Sequence, residues 1–183
     1  MKKWRKDNSL KVIAIVGSKS SGKTTTIEIL TRELTKRGYK IAAIKHIPEK
    51  NFTIDKKGKD TWRFAKAGAK KILSVASNEI ATIEKVDTEN FSLDEILRRC
   101  EGVDLIFLEG FKKIVSKNDD VPKIVAVKSA EEAREAVKNF KPILTFTGLY
   151  STENLNLEIP YFDALTASER IVNMVEKLVE ERC

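Results

Sequence analysis

The sequence predicts an α/β fold, a three-layer sandwich with a mostly parallel central sheet and helices on both of its faces. Short apolar runs typical of strands alternate along the chain with segments of helical period. The chain has 183 residues, which is enough to bury one sizeable core. We therefore expect a single domain over residues 1–183.

The individual elements follow from the periodicity of the apolar residues. Seven runs are predicted to be strands: residues 11–16, 40–45, 71–76, 79–84, 103–110, 123–128 and 142–147. Five segments are predicted to be helices: Lys23–Arg37, Asp60–Ala67, Leu93–Cys100, Ala130–Lys138 and Ser168–Arg182. Ligands of such folds gather at the carboxyl edge of the strands. We therefore expect four turns to meet near one ligand, namely those after Val16, Lys45, Leu108 and Thr147.

Composition and charge exclude several classes of protein. The formal net charge is +7, which favours anionic ligands, and the phosphates of a nucleotide are a sufficient anion for such a charge. The chain has no nucleic-acid-binding motif, so we expect no nucleic-acid partner. Two distant cysteines, Cys100 and Cys183, and a single histidine do not suggest a disulfide framework or a zinc site. No apolar run approaches the length of a membrane span and no secretion signal opens the chain, so we expect a cytoplasmic protein.

The first strand is followed by the sequence GSKSSGKT, which matches the phosphate-loop (Walker A) pattern G-x-x-x-x-G-K-[ST] at every fixed position. Unpaired backbone N–H groups and the dipole of the following helix favour phosphate at this point. Lys23 is expected to contact the β- and γ-phosphates as a catalytic residue, and Thr24 to ligate Mg²⁺. The alternative is a chance serine-rich turn. The residues predicted to bind nucleotide here are Gly17, Ser18, Lys19, Ser20, Ser21, Gly22, Lys23, Thr24 and Thr25, although Lys19 could simply be solvated. The predicted fold is thereby of the P-loop NTPase type.

A P-loop protein needs a carboxylate to hold Mg²⁺ or its water, normally at the end of an apolar strand. Glu109 ends the run VDLIFLE and is followed by Gly110. We predict that Glu109 has this metal-binding and catalytic role; the alternative is a glutamate that faces solvent. Asp104 begins the same strand, on the edge opposite the ligand, and is predicted to be structural.

The segment after the second strand resembles by position the mobile loop that reads the γ-phosphate in many P-loop proteins. Lys45, His46 and Asp60 are predicted to contact the nucleotide, and Asp55 is predicted to be a further metal or water ligand. Asp60 has an equally weighted alternative as the N-cap of the following helix. His46 could orient water or contact phosphate, or it could be a packing residue.

Several motifs together resemble the MobB family, molybdopterin-guanine dinucleotide biosynthesis protein B. They are the phosphate loop, IKH at 44–46, DKKGKDTWRFAKAGA at 55–69, DLIFLEGFK at 104–112 and VPKI at 121–124. The likeness extends from about Lys11 to Val127. The chain departs from the family pattern after the KH pair, where IPEKNF replaces further histidines, and it lacks the guanine-reading motif N-K-x-D.

The resemblance implies a GTP-binding accessory protein with weak GTPase activity, usually a homodimer. Such a protein assists a MobA-type guanylyltransferase that joins GMP to molybdopterin, so GTP, Mg²⁺ and molybdopterin are the implied cofactors. By position, Gly17, Gly22, Lys23 and Thr24 would bind GTP and Mg²⁺, with Glu109 as the acidic partner. The family's distinctive loop would comprise Lys45, His46, Asp55, Gly58, Lys59 and Asp60. The segment Thr147 to Tyr150 is placed to read guanine.

Two other functions remain open from the sequence. One is a P-loop small-molecule or nucleotide kinase, which would normally carry a lid with several arginines. The other is a nucleic-acid-stimulated NTPase, suggested by the positive charge alone. For the GTP-binding hypothesis we expect slow hydrolysis, since the chain contains no glutamine that could position a water.

Overall fold

The computed structural model describes residues 10–148 and 158–180. These residues form two compact units. The first unit comprises the described residues up to His46 and those from Leu93 onward, and the second unit comprises Ile47–Ser92.

The elements follow one another in the order β1, α1, β2, α2, β3, β4, α3, β5, α4, β6, α5, β7 and α6. The strands are β1 Lys11–Gly17, β2 Ile41–Lys45, β3 Lys71–Val75, β4 Ile80–Glu84, β5 Leu105–Glu109, β6 Lys123–Ala126 and β7 Ile143–Thr147. The helices are α1 Lys23–Lys36, α2 Asp60–Lys66, α3 Leu93–Leu97, α4 Lys112–Val115, α5 Ala130–Asn139 and α6 Ser168–Glu180.

Five strands of the first unit form one sheet in the order β2-β5-β1-β6-β7, and every neighbouring pair is parallel. Because all five strands run in the same direction, their carboxyl ends lie along one edge. The central strand β1 pairs with β5 on one side and β6 on the other. The loop that follows β1 therefore lies between the ends of its two neighbours.

Helices cover both faces of this sheet, which confirms the expected three-layer α/β architecture. Alternate residues of the buried strands point to opposite faces. On one face, Ile13 and Ile15 pack with apolar residues of α1 and α6. On the other face, Val12, Ala14 and Val16 pack with residues of α3, α4 and α5.

The second unit contains a two-stranded sheet of its own, in which β3 and β4 are antiparallel. The two strands were predicted, but they do not belong to the parallel sheet. Only residues 76–79 separate them, and a parallel connection needs about a dozen residues or more. The N–H of Ala76 donates to the carbonyl of Glu79 at 2.8 Å and closes the hairpin.

Two further details differ from the sequence expectation. The short helix α4 was not predicted, and α3 ends at Leu97 rather than at Cys100.

Asp104 has the structural role expected of it, since its carboxylate accepts a hydrogen bond from the N–H of Lys40 at 2.8 Å. No helix among the described residues combines the length and apolar character needed to cross a membrane.

Candidate functional site

The loop between β1 and α1 is shaped by close contact with β6. A Cβ added to Gly17 would lie 2.1 Å from the carbonyl oxygen of Ala126 and 2.6 Å from the Ser21 hydroxyl. The backbone of Gly17 has φ 151°, which also favours glycine. Residue 17 therefore has to be glycine for the loop to lie this close to the neighbouring strand.

The loop turns sharply before α1 begins. Ser20 and Gly22 both have positive φ angles, of 59° and 95°, and Gly22 is the N-cap of the helix without any side-chain capping bond. The helix has 14 residues, and its first N–H groups lie beside the loop. Thr25 is half-buried in the first turn. The loop and the helix N-terminus together form a cradle suited to phosphate oxygens.

Two side-chain hydroxyls in this cradle have no hydrogen-bond partner among the described residues. The hydroxyls of Ser18 and Ser21 are buried, and neither bonds to any described residue. The ammonium group of Lys23 donates to the carbonyl of Ser18 at 2.5 Å, so it lies back over the loop. Buried groups of this kind normally find a hydrogen-bond partner. These donors therefore fit an anion bound in the loop.

Glu109 brings three of the predicted residues together. The Thr24 hydroxyl donates to its Oε2 at 3.1 Å, and the Lys45 ammonium lies 3.0 Å from its Oε1. Lys45 and Glu109 are register partners at the ends of β2 and β5, which places them side by side. Glu109 is the more buried of these two side chains, with 12% exposed against 58% for Lys45.

The oxygen atoms of Thr24 and Glu109 are suitable ligands for Mg²⁺. Among the residues that the structure describes, no group of three histidine, cysteine, aspartate or glutamate side chains could hold a metal. A magnesium ion here would therefore complete its coordination with phosphate oxygens and water, which is how Mg²⁺ is commonly bound in nucleotide sites. The residues present fit such an ion.

Three other lysines, from three further elements or their ends, lie near enough to Lys23 for their charges to act on it. Burial lowers the pKa of Lys23 below its usual value, the charge of Glu109 raises it, and the charges of Lys112, Lys45 and Lys128 lower it further. A polyphosphate would balance this excess of positive charge. Neither Lys112 nor Lys128 was predicted as a site residue, although both directly follow strand-ending segments, LEGF and KIVAV.

Lys128 also contacts the phosphate loop directly. Its ammonium group donates to the carbonyl of Lys19 at 3.2 Å. Lys19 itself is exposed. Because β6 pairs with β1 in parallel, a residue just beyond the end of β6, such as Lys128, lies near the loop that follows β1.

The remaining residues predicted for the segment after β2 fall into different units. The His46 N–H donates to the carbonyl of Glu109 at 3.0 Å, and its ring lies 5.2 Å from that of Phe111. His46 is therefore anchored beside the site by its backbone and in contact with an aromatic ring.

Asp55 and Asp60 belong to the second unit, and the structure describes them within it. One oxygen of Asp55 accepts hydrogen bonds from the Lys56 N–H and the Thr61 hydroxyl. The other, Oδ2, is buried and has no partner among the described residues. The N-cap alternative for Asp60 is wrong. Lys59 is the N-cap, and the exposed Asp60 carboxylate pairs with Arg63 at 3.6 Å instead.

The segment predicted to read guanine is described only in part. Thr147 ends β7, and its buried hydroxyl has no partner among the described residues. A Cβ on Gly148 would lie 2.2 Å from the carbonyl oxygen of Val127, so this turn also lies tightly against its neighbour. Leu149 and Tyr150 are outside the described residues.

Comparison with known proteins gives one consistent family. Residues 12–147 match the family model described as MobB, molybdopterin guanine dinucleotide synthesis protein B. A relative from Methanocaldococcus jannaschii is 38% identical over 123 residues, which cover 67% of this chain and 49% of the relative. The "Molybdopterin-guanine dinucleotide biosynthesis adapter protein" of Haemophilus influenzae is 34% identical, over 65% of this chain and 64% of its own length. The chain thus spans about half to two thirds of these relatives.

Solved structures match over nearly the whole chain. The crystal structure of a molybdopterin-guanine biosynthesis protein B aligns with a TM-score of 0.69 at 28% identity, covering 92% of this chain and 98% of that one. Bacillus subtilis MobB has the same fold, with a TM-score of 0.68 at 21% identity and coverage of 91% and 96%. The family model covers well over half of the chain and includes the phosphate loop, Lys45 and Glu109. The chain therefore belongs to the MobB family.

Proposed function

We propose that this protein is a GTP-binding adapter of molybdenum cofactor biosynthesis, which assists a MobA-type guanylyltransferase in attaching GMP to molybdopterin. The names of its relatives support the pathway. The observation that carries the nucleotide part of the proposal is the contact between Thr24 and Glu109 beside the phosphate cradle. It unites the two oxygen ligands that a P-loop protein uses for magnesium.

Each residue of the site has a role in this proposal. The backbone N–H groups of residues 17–25 bind the phosphates, and Lys23 neutralises them. Thr24 and Glu109 would hold Mg²⁺, which would supply positive charge that neutralises the phosphates. Asp55 belongs to the second unit and stays a prediction as a further metal or water ligand; its Oδ2 is buried without a partner among the described residues. The surrounding lysines retain the anion, so binding rather than rapid turnover is the main activity.

Calorimetry tests the nucleotide proposal. The protein is titrated with GTP and with ATP, each in the presence of Mg²⁺ and again in EDTA. We expect GTP to bind at least about tenfold more tightly than ATP, and EDTA to weaken binding. A clear preference for ATP would contradict the proposal, and rapid phosphoryl transfer to an added pterin or nucleoside would favour the kinase alternative.

The partner is tested separately. A MobA-type guanylyltransferase is immobilised, and retention of this protein is compared with GTP, with GDP and without nucleotide. We expect retention to depend on GTP, and the rate of GMP attachment to molybdopterin to rise when the protein is added. Equal retention under all three conditions together with an unchanged rate would contradict the adapter role.

We further propose that the protein forms a homodimer through the β3–β4 hairpin. A two-stranded sheet leaves both edges unpaired and is marginally stable alone. One face of the hairpin exposes Leu73, Val75 and Ile80, with exposed fractions of 54%, 74% and 66%. Alternation along the strands puts these three side chains on the same face. A second copy offers an identical apolar face, which makes the contact self-complementary.

Light scattering after gel filtration tests the dimer. The variant Val75→Lys places a charge on the apolar face, and Val137→Lys is the control, because it alters an exposed valine of α5 instead. We expect the mass of a dimer for the unaltered protein and the control, and that of a monomer for Val75→Lys. A dimer that survives Val75→Lys would contradict this interface.

A further inference from the structure

Each oxygen of the Glu109 carboxylate already has a partner in its own chain. Thr24 donates to one oxygen and Lys45 pairs with the other, at 3.1 Å and 3.0 Å. The parallel register makes Lys45 the natural counterion, since the two residues are direct partners at the ends of adjacent strands. A metal ion held by Thr24 and Glu109 would therefore meet a cation already bound to the same carboxylate.

Two positive centres cannot both remain on this carboxylate without mutual repulsion. Lys45 can move, because its side chain is 58% exposed and its four-carbon stem is flexible. Glu109 is held more firmly, with 12% exposed and its strand paired on both sides. We therefore expect Lys45, rather than Glu109, to move when a metal ion binds.

A displaced ammonium group needs a new anion nearby. In the proposed function Lys23 binds the phosphates. It lies close enough to Lys45 for the charge of Lys45 to lower the pKa of Lys23. The γ-phosphate of a nucleoside triphosphate would supply such an anion. A nucleoside diphosphate lacks that group.

We propose that Lys45 distinguishes GTP from GDP by exchanging partners. It pairs with Glu109 when the γ-phosphate is absent, and it bonds to the γ-phosphate when magnesium and GTP are bound. This inference rests on the proposed GTP-binding function and assigns Lys45 as a residue that determines specificity for the triphosphate. Lys45 is followed at once by His46, the last residue before the second unit.

The test compares the affinities of GTP and GDP in four proteins by calorimetry with Mg²⁺. They are the unaltered chain, Lys45→Met, Lys45→Arg and the control Lys40→Met, which removes one exposed lysine just before β2. We expect Lys45→Met to weaken GTP binding by about tenfold, the value of one charge-assisted hydrogen bond. GDP binding should stay the same or tighten. Lys45→Arg should retain most of the preference for GTP, and Lys40→Met should stay within about twofold of the unaltered protein.

A second measurement determines the concentration of Mg²⁺ at which its site is half-saturated in the presence of GDP. Titration of Mg²⁺ at a fixed concentration of GDP should reach half-saturation at a lower concentration in Lys45→Met, because the competing ammonium group is gone. The proposal is overturned if Lys45→Met leaves the ratio of GTP to GDP affinity unchanged, whether both affinities fall together or neither changes. Failure of the proposed GTP-binding function looks different, since the unaltered protein would then not bind GTP at all.

Discussion

Lys123 should make the stability of the first unit rise with pH. This lysine opens β6 and is completely buried. Its ammonium group donates to the carbonyl of Asn118 at 2.7 Å and to the carbonyl of Lys141. Burial lowers its pKa from 10.5 to about 8, although the charge of Asp119 acts in the opposite direction.

The sign and size of the effect follow from the two pKa values. The pKa in the folded protein, about 8, lies below the 10.5 of a free lysine, so the unfolded chain binds more protons between these values. The free energy of unfolding therefore increases as the pH rises through this window. Each pKa unit corresponds to about 1.4 kcal/mol, which gives about 3 kcal/mol in full and about 2 kcal/mol between pH 7.5 and 9.5.

Urea unfolding followed by circular dichroism measures this dependence. The unaltered protein is compared with Lys123→Met at several pH values in that window, and the difference between the two free energies is plotted against pH. Other titrating groups cancel in the difference, and an overall change of stability in the variant only shifts the curve. A difference that stays constant within about 0.5 kcal/mol would refute the assignment of a strongly lowered pKa to Lys123.

Three further predictions concern the site. Gly17→Ala should lower the free energy of unfolding by about 1–3 kcal/mol in thermal denaturation, because the new methyl group would lie 2.1 Å from the Ala126 carbonyl; Gly38→Ala, which meets no atom within 4 Å, is the control, and equal losses in both would count against steric crowding. In calorimetry, Glu109→Gln should make the increase in GTP affinity caused by Mg²⁺ about tenfold smaller, while the GTP affinity in EDTA should change little. An increase as large as in the unaltered protein would contradict a role of Glu109 in the metal site. As the pH rises, GTP affinity should begin to fall before pH 10.5, the usual pKa of lysine, because burial lowers the pKa of Lys23 and phosphate binds the protonated form. An affinity that stays constant up to pH 10.5 would contradict this.

Much of the fold could be predicted because its determinants are local. The apolar run from Val12 to Val16 and the helical period after Lys23 identify β1 and α1 without any tertiary information. The phosphate loop is equally local, since its spacing fixes both the turn and the lysine. Glu109 could be placed because the carboxyl ends of parallel strands meet at one edge.

Other features depend on contacts that no local pattern contains. Lys112 approaches Lys23 because Gly110 and Phe111 both adopt positive φ angles, of 88° and 53°, which turns the chain sharply after β5. Lys128 reaches the phosphate loop through the order of the sheet. Lysine is abundant in this chain, so composition could not single out these two.

The hairpin and the helix cap show two further limits. The runs 71–76 and 79–84 have strand periodicity, but the length of their connection, rather than the runs themselves, determines that they pair antiparallel. Asp60 has the composition of an N-cap, yet the helix begins one residue earlier than that role requires. A boundary of this kind shifts by one or two residues without any change in the pattern.

Calorimetric titration with GTP and Mg²⁺ of the unaltered protein, Lys23→Ala and Lys36→Ala tests the central claim most directly. Lys36 lies on the same helix, is exposed and pairs with Glu33 at 2.9 Å, so its loss is a matched control for charge. We predict that Lys36→Ala binds GTP like the unaltered protein, whereas Lys23→Ala remains folded and loses about a hundredfold in affinity. Retained GTP affinity in a folded Lys23→Ala protein would contradict the assignment of this loop as the phosphate site.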